Sequence, residues 1–331
     1  MFAAPVLSGT LFALAAGLMW GLVFVGPLLL PEYPAALQSF GRYLAFGLIA
    51  LPLAWFDRAT LRHLTRADWR EALRLALVGN IVYYLFLASA IQRAGGPLPT
   101  MIIGTLPVVI ALTAMARGHR EGTRREAPLR WRQLAPSLAL IALGIALVNQ
   151  VELQRLRAEP GADLGRYVLG AVLAVGAVAC WTWYPLRNAE WLRAHPDRSP
   201  RGWATAQGLA TLPLALLGYA LTWAWFTLGG SAFPMPFGPR AWEFVALMAA
   251  IGLFASWLGT LCWNEASQRL PPAIAGQLIV FETLAALAYA FVLRGAWPAP
   301  ATLAGIVLLV AGVLWALRAR PEPEAAQAHP N

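Results

Sequence analysis

Lysine is absent from all 331 residues, cysteine occurs twice, histidine four times, and only 12% of the chain is charged. Each shortage excludes something. Soluble domains carry about a quarter charged residues, so a chain that is 59% hydrophobic with mean hydropathy +0.59 belongs in lipid. The cysteines, Cys180 and Cys262, both lie in apolar stretches, and neither CxxC nor Cys/His metal spacing occurs. No disulfide framework, metal site or cofactor is expected. His63, His119, His195 and His329 fall in loops or the tail, and no Asp lies inside an apolar stretch. Hydrolytic or metal chemistry within the membrane therefore lacks its acids, bases and ligands, and the chain is not expected to be an enzyme. A GxxxxGK[ST] loop is also missing, so ATP is not expected to drive the protein directly.

The basic residues are then all arginine, and with 16 acids they leave a net charge of +9. Such a charge could serve nucleic acid, but that use needs one contiguous basic face with exposed aromatics. Here the arginines fall in loops between apolar runs, as in membrane proteins with basic cytoplasmic loops, and no nucleic-acid partner is expected. The stretch from Met1 to Pro31 is uncharged and has no basic n-region. It is too long for a signal-peptide core and is read as a retained span.

About 20 apolar residues cross a bilayer as helix. Ten such windows are expected, near 6–30, 33–56, 72–92, 96–116, 133–149, 167–186, 203–228, 241–263, 272–293 and 301–317. An internal echo organises them. Ala90-Ile91-Gln92-Arg93 matches Ala266-Ser267-Gln268-Arg269 at an offset of 176, and Gly9, Trp20 and Pro52 match Gly170, Trp181 and Pro213 at 161. The chain reads as a duplicated unit. Five spans per copy insert the second copy upside down, so the expected fold class is an all-α membrane protein with ten transmembrane helices as two inverted five-helix repeats around a central cavity. The expected divisions are a first repeat over 1–149, a periplasmic linker over 150–166, a second repeat over 167–320 and a disordered tail over 321–331.

Eighteen arginines then fall on the side of both termini and six on the other, so both termini are expected in the cytoplasm of a bacterial inner-membrane protein. Trp55, Trp69, Trp131, Trp191, Trp223, Trp225, Trp242 and Trp297 lie near span ends and read as an interfacial belt. Residues 57–74 read as a basic, partly amphipathic helix on the inner surface.

The paired five-span layout, the glycine-to-tryptophan spacing of spans 1 and 6, RYLAFGLIALPLA from Arg42, TLPVVIAL from Thr105 to Leu112, and the ending LAGIVLLVAGVLWAL resemble the drug/metabolite transporter superfamily, EamA type. Within it the chain looks most like the bacterial aromatic amino-acid exporters of the YddG kind. The resemblance implies a cavity lined by spans 1, 3, 4, 6, 8 and 9, with spans 5 and 10 at the periphery, and export of amino acids or related metabolites by alternating access. One position departs from the family: where span 4 carries Pro107, span 9 carries Thr283, preceded by Glu282.

Polar residues inside spans need a partner or a role. Asn80, Tyr83 and Tyr84 share one face of span 3 with Leu87, either as a substrate wall or as interhelical contacts. Trp20 and Trp181 lie deep in their spans at equivalent positions, expected on opposite sides of the cavity. Met101, Ser256, Trp257 and Gln277 are further candidates to line it. Glu282 is the only acid well inside a span, and its options are proton coupling, cavity polarity or a structural bond, for which Gln277 is one partner. Arg42, the only basic residue within a span, can snorkel outward or pair with Glu282.

A sugar-phosphate or nucleotide-sugar exchanger of the same superfamily is the alternative, but such anions need several cations where only Arg42 is available. The expected partner is a neutral or zwitterionic amino acid, handled by a monomer in the lipid bilayer. An intramembrane enzyme or a receptor makes no use of inverted duplication. The orientation is testable by labelling: a cysteine at Gly161 should react with a membrane-impermeant maleimide in intact cells, and one at Gly122 should not. The opposite pattern would contradict it.

Overall fold

The computed structural model describes residues 4–110, 112–113, 131–158, 163–270, 275, 278–295 and 297–318. Gln277, the 114–130 segment, Gly161 and the 321–331 tail lie outside the described residues. Among the described residues every regular element is helical. In chain order the principal helices are α1 (Leu7–Leu29), α2 (Ala35–Phe56), α3 (Arg66–Ala94), α4 (Leu98–Ile110), α5 (Trp131–Ala158), α6 (Leu164–Ala194), α7 (Pro200–Leu228), α8 (Ala241–Arg269), α9 (Val280–Arg294) and α10 (Pro300–Arg318). Six of them, α1, α2, α3, α6, α7 and α8, are long and apolar enough to cross a membrane, and the other four contain shorter apolar helices.

Helix starts follow local chemistry. Thr65 and Asp68 form a reciprocal capping box, so α3 begins at residue 66 rather than at 72, and the expected surface helix over 57–74 is instead a turn at Arg58–Leu61 followed by the first turns of α3. Asp163 caps α6 through the Arg166 amide, and Ser199 caps α7 with Pro200 at its first position. Helix α5 runs on to Ala158 because residues 150–158 are mostly strong helix formers, so the expected 150–166 linker is helical over 150–158, and over 164–166 where α6 begins.

Packing pairs α5 with α10, α7 with α2, α6 with α3, and α1 with both α8 and α9. Lipid offers little hydrophobic drive for this, so contact rests on close approach of small residues. Gly17 and Gly21 on α1 show it: an added Cβ would lie 3.0 Å from the Glu282 amide nitrogen and 2.7 Å from Ala285 Cβ, both on α9. This Gly-x-x-x-Gly pair sets the backbone of Glu282 directly against α1, one turn from Trp20.

Two helices carry a π-helical stretch, Ala76–Val82 in α3 and Gly252–Leu258 in α8. From 76 to 252 is the same 176-residue offset as the sequence echo. Such stretches widen the helix locally, redirect side chains and often mark functional sites. Large apolar side chains such as Leu11, Val172, Leu217 and Val307 point outward. Trp55, Trp223, Trp225, Trp242 and Trp297 are exposed as an interfacial belt would have them. Trp191 is not: it is buried, because Trp203 stacks on it and Asp68 accepts its N–H.

Gly79, in the first π stretch, leaves room for the ring of Tyr184 from α6. A Cβ there would lie 2.1 Å from Tyr184 Cδ2 and 2.9 Å from Tyr184 Cβ, so turning the ring gives no relief. Gly79→Ala should destabilise the protein by about 1–3 kcal/mol, seen as a lower unfolding temperature in detergent; an unchanged temperature would show that α3 and α6 do not approach this closely.

Candidate transport site

Where α1, α3, α6 and α8 meet, four aromatic side chains pack in continuous contact. Trp181 stacks on Tyr83 at 4.6 Å between ring centroids and on Tyr184 at 4.9 Å, and Trp20 meets its edge at 5.0 Å. Trp263 joins from α8, 5.2 Å from Trp20. All are buried. Trp20 and Trp181 therefore touch rather than face each other across open space. Edge-to-face and offset contacts of this kind gain about 0.5–1.5 kcal/mol per pair beyond burial.

Two charges flank the aromatics. Arg42 is 4% exposed and Glu282 1%, so neither snorkels to water. Arg42 Nε donates to Ser256 Oγ at 2.9 Å, and its guanidinium lies over the rings of Tyr84 at 4.5 Å and Tyr43 at 4.7 Å. These contacts replace the water that snorkelling would have supplied. Among the described residues its NH1 has no hydrogen-bond partner. Neither oxygen of Glu282 has one among them either, although Trp181 and Tyr83 stand near enough to act on the carboxylate as donors. Trp181 Nε1 and Tyr83 OH are likewise unbonded among these residues. No ion pair joins Arg42 to Glu282 among the described residues.

The span 3 face divides at the π stretch. Asn80 donates to Thr211 Oγ1 on α7 at 3.0 Å, Tyr83 turns to Trp181, and Tyr84 OH donates to the Val23 carbonyl at 2.9 Å. Pro27 has no N–H to offer that carbonyl, four residues earlier in the helix, so Tyr84 satisfies a group the proline leaves free. Ser256, in the second π stretch, lies 176 residues after Asn80 and takes the Arg42 bond. Trp257 Nε1 reaches Thr205 Oγ1 at 3.3 Å. Met101 is buried elsewhere, among Leu287 and Leu309, and does not join the aromatic cluster.

Polar side chains close each end. Towards the arginine-rich end, Tyr184 OH donates to Gln207 Oε1 at 2.7 Å; Gln207 and Trp203 both donate to Asn188 Oδ1, at 3.1 and 2.9 Å; and Asn188 Nδ2 donates to Asn264 Oδ1 at 2.9 Å. Further out, Arg187 forks onto Glu71 at 2.6 and 3.3 Å, Trp191 Nε1 donates to Asp68 at 3.0 Å with His195 3.8 Å from the same carboxylate, and these side chains line a cavity of about 410 Å³. At the opposite end the contacts gather on Tyr33. Its hydroxyl donates to the Phe237 carbonyl at 2.9 Å and accepts from the Arg240 amide at 2.8 Å, and its ring stacks on Phe244. Arg240 then reaches Glu32 and the Leu29 carbonyl, each at 3.1 Å, and pairs with Glu243. Burial raises the Tyr33 pKa against the opposing Arg240 amide bond, so the hydroxyl remains a donor at physiological pH.

Asn188, Gln207 and Thr211 were not among the sequence candidates. A pattern was there: Gln207 and Thr211 stand four apart on α7 and so share one helical face.

The EamA-like transporter family model matches residues 7–150. The chain is 56% identical over 317 residues to "Inner membrane protein YtfF" of Escherichia coli (strain K12), with 96% of this chain and 97% of that protein covered. The chain belongs to the EamA-like transporter family and is a multi-pass membrane transporter. A solved structure described as "Crystal structure of protein" shares the fold at a TM-score of 0.66 and 18% identity, with 94% of this chain and 98% of that one covered.

Asn188 serves three partners, so Asn188→Ala would leave two buried donors and one buried acceptor unmatched. An unfolding measurement in detergent should show a loss of about 2–5 kcal/mol, against less than about 0.5 kcal/mol for Gln268→Ala, whose bond is exposed. Equal effects would contradict the network.

Proposed function

We propose that the chain is an inner-membrane secondary transporter that exports aromatic or other large neutral amino acids by alternating access, of the YddG kind. The buried aromatic cluster carries this reading. Tyr83, Trp181, Tyr184, Trp20 and Trp263 come from four helices on both halves of the chain and offer flat apolar walls at mid-depth. Flat walls favour side chains of phenylalanine, tyrosine and tryptophan size through area and edge contacts, without strict selection among them. A sugar-phosphate exchanger would need several guanidinium or ammonium groups around the same point. Arg42 is the one arginine placed there among the described residues.

The architecture we propose is ten transmembrane helices in two inverted five-helix repeats, with both termini cytoplasmic. Its support is the pairing pattern: α1 lies on α8 as α6 lies on α3, while α2–α7 and α5–α10 pair each helix with its own counterpart. The matched π stretches add to it. On this reading the Tyr33 and Arg240 contacts form the periplasmic gate, and the Asn188 and Glu71–Arg187 contacts the cytoplasmic one. One gate opens as the other closes.

The test is protection of cells against toxic analogues such as fluorophenylalanine at matched membrane levels of protein. Wild type should raise tolerance severalfold, and Tyr83→Ala and Trp181→Ala should remove most of the gain. If wild type protects against no amino-acid analogue the cargo class is wrong; if both variants protect fully, the cluster does not line the route.

A further inference from the structure

We propose that Arg42 and Glu282 divide the head of the substrate between them, Arg42 binding the α-carboxylate and Glu282 the α-ammonium of a zwitterionic amino acid. This rests on the amino-acid reading above and adds to it the two residues that require both charged groups.

An ionised group withdrawn from water needs an opposite charge or several hydrogen bonds. Among the described residues Glu282 has no ion pair and neither oxygen has a hydrogen-bond partner within bonding geometry, in a 1% exposed side chain with only the Trp181 and Tyr83 donors beside it. Arg42 is half provided for. Ser256 and the faces of Tyr43 and Tyr84 hold its guanidinium in one orientation, and that orientation leaves NH1 without an acceptor. Trp181 Nε1 and Tyr83 OH, also unbonded among the described residues, are donors and cannot serve the Arg42 guanidinium. Tyr83 stacks on Trp181, and its neighbour on α3, Tyr84, lies under the Arg42 guanidinium.

Ligand classes can be sorted on this arrangement. An anion would satisfy Arg42 and be repelled by Glu282; a cation would do the reverse. An uncharged ligand would leave both charges unpaired. A zwitterion matches both, with its ammonium on a carboxylate that has free lone pairs and its carboxylate on the open NH1 edge. Its side chain would then lie along the aromatic walls. Arg42 stands on α2 and Glu282 on α9, one from each half of the chain, so the bound head group would also tie the halves together.

The test uses the purified full chain, with radiolabelled phenylalanine displaced by three competitors: phenylalanine, 3-phenylpropionate, which lacks the ammonium, and phenethylamine, which lacks the carboxylate. Losing one charge-assisted contact should weaken each single-charge analogue by about tenfold to a hundredfold against phenylalanine in wild type. In Glu282→Gln the penalty on 3-phenylpropionate should disappear while that on phenethylamine stays; in Arg42→Gln the pattern should invert. Should either variant fail to fold, the wild-type comparison alone decides. Wild type binding either single-charge analogue as tightly as phenylalanine would overturn the proposal. So would folded variants that weaken all three ligands equally, or that leave every preference unchanged. No binding of any aromatic amino acid by folded wild type would instead overturn the amino-acid reading, and this inference with it.

Discussion

A charge inside lipid has to be matched by another charge, by hydrogen bonds or by water, and the organisation of this protein follows from where that requirement is met and where it is not. Away from the centre it is met at several points. Asn188 binds three neighbours, Asp68 takes its cap and an indole, and Tyr84 occupies the carbonyl that Pro27 releases. At the centre, among the described residues, Arg42 NH1 and both Glu282 oxygens have no hydrogen-bond partner, beside the unbonded indole N–H of Trp181 and hydroxyl of Tyr83. A buried group left unmatched costs on the order of 1–3 kcal/mol, more when charged. A buried guanidinium and a buried carboxylate left open beside one aromatic cluster are what a ligand site requires.

The aromatic packing and the polar ends have different roles. Aromatic contacts tolerate sliding and rotation at small cost, since their gain is spread over area. The end contacts are directional: the Arg187–Glu71 fork and the Tyr33 hydroxyl bonds are either made or broken. A centre that adapts between two directional ends is the division of labour that the proposed alternating access would need. The π stretches at 76–82 and 252–258 carry Asn80 and Ser256, which bond Thr211 and Arg42 respectively.

Much of the fold was legible because lipid imposes a single rule, long apolar helix, on every span. The expected windows for α1, α2 and α7 differ from the observed helices by no more than three residues at either end. Boundaries missed were those decided by capping, as at Thr65, or by helix propensity beyond the apolar run, as at 150–158. The centre was partly legible: Trp20, Tyr83, Trp181, Arg42 and Glu282 are all there. Their contacts were not, because periodicity assumes a regular helix and the π stretch breaks it between Asn80 and Tyr84. Trp191 read as a belt residue since depth alone cannot reveal that Asp68 and Trp203 receive it. Met101 faces its own apolar cluster, a choice that helix rotation makes and composition does not record.

The most direct measurement is counterflow in liposomes containing only this protein. Vesicles preloaded with unlabelled phenylalanine should accumulate external radiolabelled phenylalanine transiently and saturably, and preloading with tryptophan or tyrosine should support the same exchange. Accumulation no greater than in protein-free vesicles, for every aromatic and large neutral amino acid tried, would contradict a carrier that binds these molecules at its centre.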